Sequence, residues 1–222
     1  MARQKKTTYR SAWLSLLWLL IIPILNTFYG ILNRAGNHVF NLEIIIDQWI
    51  PFTPIFIIPY ILWYPFITGI LALLAFKNRV TYFQTLIALC TGLIISYIFF
   101  ALFQSTVQRP DIGNETGLIY RLVDVVYRTD QPYNCFPSIH VLTSYLILRG
   151  SRVFNKIIWT VTAFTSILII ISTVFVKQHV VVDIVGGILI GELCFYLAGA
   201  LVMLKRKRKQ ASVLERGSRM FL

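Results

Sequence analysis

The sequence predicts an all-α protein, an integral membrane bundle of six transmembrane helices with both termini in the cytoplasm. Three observations predict this class: the composition, the long apolar runs and the distribution of charge between loops. Of the 222 residues, 57% are hydrophobic and 14% are charged, and the mean hydropathy is +0.70. A soluble domain carries about 25% charged residues. The composition therefore excludes a water-soluble globule and a disordered chain, and the length indicates a single domain over residues 1–222.

Five apolar runs are long enough to cross a bilayer, because about 20 apolar residues in a helix span its hydrocarbon core. They cover residues 11–32, 51–76, 81–104, 157–176 and 180–204. A shorter run, 138–150, is predicted as the sixth span, fourth in chain order. At about 1.5 Å per residue it measures roughly 20 Å. Either this helix continues through Arg152, or its N-terminal end lies below the outer headgroups.

The charges of the loops orient the bundle. One set of segments holds 16 Lys and Arg residues against the single acid Glu215: 1–10, 77–80, 149–156 and the basic tail 205–222. The opposite loops, 33–50 and 105–136, hold four Arg residues and six acids. The positive-inside rule places the basic segments and both termini in the cytoplasm. The net charge of +12 is thus a topology signal, and no nucleic-acid partner is expected.

Segment 33–50 is neither a clean span nor a plain loop. Its apolar residues alternate loosely with polar ones, which predicts an interfacial helix on the outer leaflet. Its role, lipid access or packing, stays open at this stage.

Three polar clusters fall at the outer face in this topology. They are residues 108–110 after the third span, 135–140 at the start of the fourth, and 177–183 between the fifth and sixth. Pro137 fits the first turn of a helix. Ser138 and the free N–H groups of Ile139 and His140 would then form an anion site at a helix N-terminus. Arg109 adds a planar cation suited to phosphate. In the alternative reading, Ser138 is only a helix cap and Arg109 only an interfacial anchor.

His179 and Asp183 are four residues apart, on one face of a helix if the sixth span begins at or before His179. A carboxylate one turn away can fix the imidazole tautomer, as nucleophilic catalysis by histidine requires. His140 would then be free to act as a general acid. Two histidines and one aspartate could also ligate zinc. The cations Arg109 and Lys177 favour an anion instead, so neither a metal nor another cofactor is expected.

Two features of the sixth span concern packing. Gly187 and Gly191 form a small-residue seam that predicts close contact with a neighbouring helix. Glu192 is predicted to form hydrogen bonds within the bundle, because an unpaired carboxylate inside a span is costly.

The three clusters resemble the signature motifs of the type 2 phosphatidic-acid phosphatase superfamily, over about residues 81–203. That family has a Lys six residues before Arg-Pro, then Pro-Ser-x-His, then Ser-Arg, five residues, His, three residues and Asp. The matching positions are Arg109-Pro110, Pro137-Ser138-Ile139-His140, and Ser172, His179 and Asp183. The family's Lys and second Arg fall at Leu102 and Thr173. Lys177 could replace one of these cations, and Arg121 or Arg128 the other.

The resemblance implies a metal-independent enzyme of the cell membrane that acts on a lipid phosphate from the extracytoplasmic side. His179 would attack phosphorus to give a phospho-histidine, oriented by Asp183. His140 would protonate the departing oxygen. Arg109, Ser138, the Ile139 N–H and Lys177 would hold the phosphoryl oxygens. Candidate substrates are polyprenyl diphosphate, phosphatidic acid and phosphatidylglycerol phosphate.

Two alternatives to a hydrolase stay open. The runs 136–141 and 177–185 are similar to those of the inositol-phosphorylceramide synthases and sphingomyelin synthases. This similarity implies a phosphotransferase that delivers a phospho-headgroup to a lipid alcohol. The loss of two family cations would also suit a catalytically silent lipid-binding or transport protein. The oligomeric state is not predicted.

Overall fold

The computed structural model describes residues 12–34, 36, 38–113 and 115–219, except for the side chains of 207 and 209–219. Five of its helices are long and apolar enough to cross a membrane: Ala12–Leu32, Pro54–Lys77, Arg79–Leu102, Lys156–Phe175 and Val181–Arg206. The prediction of a helical, membrane-embedded bundle is therefore confirmed. The predicted cytoplasmic segment 1–10 and the predicted start of the first span at Ser11 lie outside the described residues.

The described part of the chain consists of short and long helices and one pair of two-residue strands. The α-helices are α1 (Ile21–Leu32), α2 (Ile45–Trp49), α3 (Ile57–Lys77), α4 (Arg79–Leu102), α5 (Leu118–Thr129), α6 (Ile139–Gly150), α7 (Lys156–Phe175) and α8 (Val181–Arg219). Single 3₁₀ turns occupy Leu17–Leu20, Pro54–Phe56 and Ser151–Val153. Strands β1 (Phe40–Asn41) and β2 (Ser105–Thr106) pair in parallel, with Phe40 opposite Ser105.

Helix α6, the short run predicted as a span, lies at the centre of the bundle. It packs against α3, α4, α7 and α8, and nine of its twelve residues are buried. Leu142, Leu146 and Ile147 are completely buried in the main core. A helix covered by other helices does not itself need to match the thickness of the lipid, because its side chains face protein. Its length of 12 residues falls short of a full span, so the predicted count of six spans stays a prediction.

The second turn of α8 lies close against the start of α6 at Gly187, which has no side chain. A Cβ atom at Gly187 would come within 2.8 Å of the Ser138 carbonyl oxygen. One turn later, a Cβ atom at Gly191 would lie 3.1 Å from the Tyr145 ring. The predicted close packing at this seam is confirmed. It brings the loop before α8 next to the residues that begin α6.

Glu192 forms the hydrogen bonds within the bundle that the sequence predicted. The Tyr145 hydroxyl donates to its carboxylate at 2.7 Å, and Arg149 forms an ion pair with it at 3.0 Å. These contacts tie α8 to the C-terminal half of α6.

Segment 33–50 contains much less helix than predicted. Among its described residues, only Ile45–Trp49 form a helix, and Phe40–Asn41 form β1. The reason is a tertiary pairing with Ser105–Thr106, which holds Phe40 and Asn41 in an extended conformation.

Candidate active site

His179 and Asp183 form a buried hydrogen-bonded pair at the start of α8. The His179 Nδ1 atom lies 3.2 Å from the Asp183 Oδ2 atom, and Asp183 is fully buried. Because Nδ1 is engaged by the carboxylate, Nε2 is the ring nitrogen left for a ligand. The predicted contact between these two residues is therefore present.

The backbone that carries His179 lies outside α8. Helix α8 begins at Val181, two residues after His179, so the pair does not lie on one helix face. Asp183 accepts the Val180 N–H at 3.0 Å, as an acidic residue in a first helical turn commonly does. The His179 N–H donates to the Thr173 carbonyl oxygen at 3.1 Å. These backbone bonds, rather than helical geometry, position the imidazole.

His179 lines a cavity of about 350 Å³, which we call the His179 cavity. Its charged lining residues are Arg109, Lys177, Glu43 and Asp47. The structure thus brings together His179 and the two cations that the sequence assigned to phosphate binding. The two acids were counted in the sequence only as part of a slightly acidic outer face.

Arg109 is held by acceptors from two parts of the chain. Its guanidinium donates to the carbonyl oxygens of Tyr127, at 3.1 Å, and Asp130, at 2.7 Å, and to the Gln178 side-chain oxygen. It also lies 4.5 Å from the centroid of the Tyr127 ring. Burial raises the pKa of the Tyr127 phenol to about 12, although the Arg109 charge opposes that shift. Arg109 is therefore a fixed cation beside a neutral phenol.

Lys177 is fixed from a distant part of the chain. Its Nζ atom donates to the carbonyl oxygens of Asp47, at 3.1 Å, and Ile50, at 2.6 Å. An ammonium group has three donors, so one remains for a ligand in the His179 cavity. Its backbone φ of +54° lies in the left-handed region, which turns the chain between α7 and α8.

Asp47 is a site residue that the sequence did not single out. Its carboxylate accepts the Val181 N–H at 2.8 Å and the Ile44 N–H at 2.9 Å, and its side chain is buried. It therefore joins α2 to the first residue of α8, two residues from His179. No local pattern marks it, because its partner Val181 is 134 residues away.

His140 occupies an aromatic enclosure next to His179. Its ring centroid is 4.5 Å from that of Tyr60, 4.1 Å from that of Trp63 and 5.9 Å from that of His179. Its Nδ1 atom is buried without a hydrogen-bond partner among the described residues. Nε2 is consequently the ring nitrogen that a ligand can reach.

His140 opens onto a second cavity of about 280 Å³, which we call the His140 cavity. Beside it, the carboxylate of Asp130 accepts hydrogen bonds from the hydroxyl groups of Tyr29 and Tyr60 and from the Asn33 amide. Sequence reasoning missed this cluster. Its members come from α1, α3 and the loop after α5, and no spacing along the chain relates them.

The start of α6 differs from the predicted anion site. The helix begins at Ile139 with Ser138 as its N-cap, so Pro137 precedes the cap and is not in the first turn. Ser138 accepts the Val141 N–H at 3.4 Å, donates its own N–H to the Asp183 carbonyl oxygen at 3.2 Å, and is fully buried. Ser138 therefore acts as a cap here, while Ile139 lines the His140 cavity.

Leu102 and Thr173 stand where the family motifs have a Lys and an Arg. Leu102 ends α4 with 82% of its surface exposed, whereas Thr173 is fully buried. Arg121 and Arg128 lie on exposed positions of α5, and Arg128 pairs with Asp124 at 2.8 Å. Neither arginine lines the His179 cavity. Of the proposed substitutes, only Lys177 is placed there.

Cys135 lies next to the histidine–aspartate pair. Its sulfur and one ligand atom each from His179 and Asp183 are all within 4.8 Å of one another, a grouping that could hold a metal ion. Burial raises the pKa of the Cys135 thiol well above its ordinary value, and the nearby Asp183 and Asp130 carboxylates raise it further. The thiolate that metal binding requires is thus disfavoured. The expectation of a metal-free site stays a prediction.

The comparison with known families agrees with the motifs. The model of the PAP2 superfamily matches residues 81–207, more than half of the chain. The protein therefore belongs to the PAP2 superfamily, a class of membrane phosphatases and phosphotransferases. No curated protein and no solved structure matches the chain.

Proposed function

We propose that the protein is a lipid phosphatase that hydrolyses a lipid phosphate or diphosphate through a phospho-histidine on His179. The observation that carries this proposal is the His179–Asp183 pair, which opens onto a cavity with two fixed cations, Arg109 and Lys177. A nucleophilic histidine needs a carboxylate to stabilise its cation, and a phosphoryl group needs positive charge to balance its oxygens.

In the first step, His179 Nε2 attacks phosphorus and the bond to the alcohol oxygen breaks. His140 donates a proton to that oxygen, while Asp183 stabilises the charged imidazole. In the second step, water attacks phosphorus, the nitrogen–phosphorus bond breaks, and His140 takes up a proton from the water. Arg109 and Lys177 balance the phosphoryl charge in both steps, so the mechanism needs no metal.

The proposed setting is a cell membrane crossed six times, with α6 counted as the fourth crossing. The 16 basic residues of the predicted cytoplasmic segments support cytoplasmic termini and a site that faces the extracytoplasmic side. Polyprenyl diphosphate, phosphatidic acid and phosphatidylglycerol phosphate are the candidate substrates.

A phosphotransferase is the second candidate, because His140 opens onto a cavity of its own with hydroxyl groups around it. The two candidates share the first step and differ in whether water or an alcohol attacks the phospho-histidine.

A phosphate-release panel over the three lipids, with purified full-length protein in detergent, tests the proposal. We expect release from at least one lipid, and His179→Ala should lower the rate by at least about a thousandfold, as loss of a nucleophile does. His38→Ala is the control, since His38 is exposed and lines neither cavity. Labelled phosphate should be trapped on wild-type protein by an alkaline detergent quench, because the nitrogen–phosphorus bond of a phospho-histidine is stable in base and labile in acid. Activity that survives in His179→Ala would refute the mechanism.

A further inference from the structure

The His140 cavity differs chemically from the place where phosphate is expected to bind. It lies between α1, α3 and α5, and its polar and aromatic lining includes Asn26, Tyr29, Tyr60, Trp63, Asp130 and His140. No Lys or Arg is among the described residues that line it. Among the described residues that line it, Asp130 carries the one carboxylate. A phosphoryl group would be repelled there, whereas a neutral ligand would not.

The hydrogen-bonding groups of this cavity match a hydroxyl. The Tyr29 and Tyr60 hydroxyl groups donate to Asp130, so each phenol oxygen keeps a lone pair that can accept from a ligand. Among the described residues, Tyr60 alone donates to Asp130 Oδ2, at 3.2 Å, so this oxygen can also accept a further hydrogen bond. An alcohol O–H supplies that donor, and its oxygen can in turn face the Nε2 atom of His140.

The aromatic walls fix where such a hydroxyl lies. Tyr60 stacks on the His140 ring with an interplanar angle of 27°, and Trp63 lies on it at 44°. The Trp63 Nε1 atom is already committed to the Thr143 hydroxyl at 2.8 Å. The walls thus offer apolar surface to the carbon skeleton of an alcohol and hold the imidazole in place.

We propose that the His140 cavity is an alcohol site, with Tyr60 and Asp130 as its binding residues. This inference rests on the proposed function. In the first step the cavity holds the hydroxyl-bearing part of the lipid substrate, while the phosphoryl group occupies the His179 cavity. After the phospho-histidine forms, an alcohol in the same place competes with water. Its oxygen bonds to phosphorus, the nitrogen–phosphorus bond breaks with its electron pair returning to His179, and the alcohol proton passes to His140.

The test is a partition experiment with the full-length protein in mixed micelles and a lipid phosphate that the wild type turns over. Glycerol at molar concentration in the water phase, or diacylglycerol in the micelles, serves as the acceptor alcohol. Phosphorus NMR measures the ratio of new phosphoester to inorganic phosphate. We expect a new phosphoester with at least one of the two alcohols. A phosphoester of glycerol would show that the alcohol enters from water, and a phosphoester of diacylglycerol would show that it enters from the lipid phase.

Tyr60→Phe keeps the ring that stacks on His140 and removes only the hydroxyl, while Asp130→Asn removes the charge. Each should lower the partition ratio by about fivefold, the size of one lost hydrogen bond. Tyr64→Phe, one turn along α3 at an exposed position, is the matched control and should keep the wild-type ratio.

The outcomes separate the two proposals. Absence of phosphate release from every lipid would overturn the proposed function and the alcohol site with it. Phosphate release without any phosphoester, or with the same ratio in Tyr60→Phe, Asp130→Asn and wild type, would overturn the alcohol site alone.

Discussion

The His179 cavity and the His140 cavity meet at two imidazole rings 5.9 Å apart, yet they are built differently. The first contains Arg109 and Lys177, each held by backbone carbonyl oxygens from another part of the chain. The second contains aromatic rings and hydroxyl groups ordered around Asp130. Two chemically similar side chains thus have surroundings suited to opposite tasks: attack on an anion and proton transfer to a neutral oxygen.

The protein holds the cations of the His179 cavity in place before a phosphoryl group binds. A mobile cation would have to give up freedom on binding a phosphoryl group, whereas Arg109 and Lys177 are already oriented by their carbonyl acceptors. On the other side, His140 has no carboxylate partner among the described residues. Substitutions in one cavity at a time should therefore separate the two roles.

Removing Arg109, one of the two fixed cations of the His179 cavity, should have the largest effect on activity. We expect Arg109→Ala to lower kcat/KM by about a hundredfold or more, because a pre-oriented donor to the transition state is lost. Initial rates of phosphate release measure the change. Arg121→Ala is the control, since Arg121 is exposed on α5, and it should stay near the wild-type rate. Equal losses in the two variants would contradict the assignment.

Replacing His140, the proposed general acid, should show that its role differs from that of His179, the proposed nucleophile. With an alkyl phosphate, His140→Ala should lose about a hundredfold in rate, the usual contribution of general acid catalysis. With an aryl phosphate, whose leaving group needs no proton, formation of the phospho-histidine should be slowed much less. Trapping of labelled phosphate by an alkaline detergent quench measures the first step directly. An equal loss of rate with the alkyl and the aryl phosphate would contradict the assignment of His140 as the general acid.

The link between α2 and α8 should have an intermediate effect. In Asp47→Asn the amide can still accept one N–H, but the charge that faces Val181 and Ile44 is lost. We expect a loss of about 1 to 2 kcal/mol in unfolding free energy and about a tenfold lower kcat/KM. Glu43→Gln, on the same cavity wall, serves as the control for loss of charge alone. Thermal unfolding in detergent and phosphate release give the two readouts, and a wild-type result in both would exclude a positioning role for Asp47.

Restoring a family cation should have the smallest effect. Leu102→Lys places a lysine where the family motif has one, but this side chain is 82% exposed at the end of α4. The new ammonium would face away from the His179 cavity, so we expect activity within about twofold of wild type, as for most exposed substitutions. Phosphate release at low salt is the measurement. A tenfold gain would mean that this position does reach the phosphoryl group.

Much of the architecture could be predicted from local sequence features. Most of the apolar runs lie within a few residues of a helix in the structure, as at 157–176 against Lys156–Phe175. The run 180–204 is an exception at its end, because α8 continues to Arg219. The prediction for 33–50 was wrong in part, because β1 pairs with residues 65 positions away. Pro137 was also misplaced, since caps depend on which backbone groups find partners.

Hydropathy alone predicted the membrane bundle, and the motifs predicted the family, because both act within single segments. The spacing of His179 and Asp183 suggested their contact, but the bonds that position them, to the Thr173 carbonyl oxygen and from the Val180 N–H, lie outside regular helix geometry. Other features depend on tertiary structure alone. The Asp47 and Ile50 carbonyl oxygens hold Lys177, and Leu102 is exposed. Tyr60, which donates to Asp130, stacks on the His140 ring. These relations join residues as much as 130 positions apart. Helix packing and backbone hydrogen bonding set them, and neither leaves a spacing that can be read along the chain.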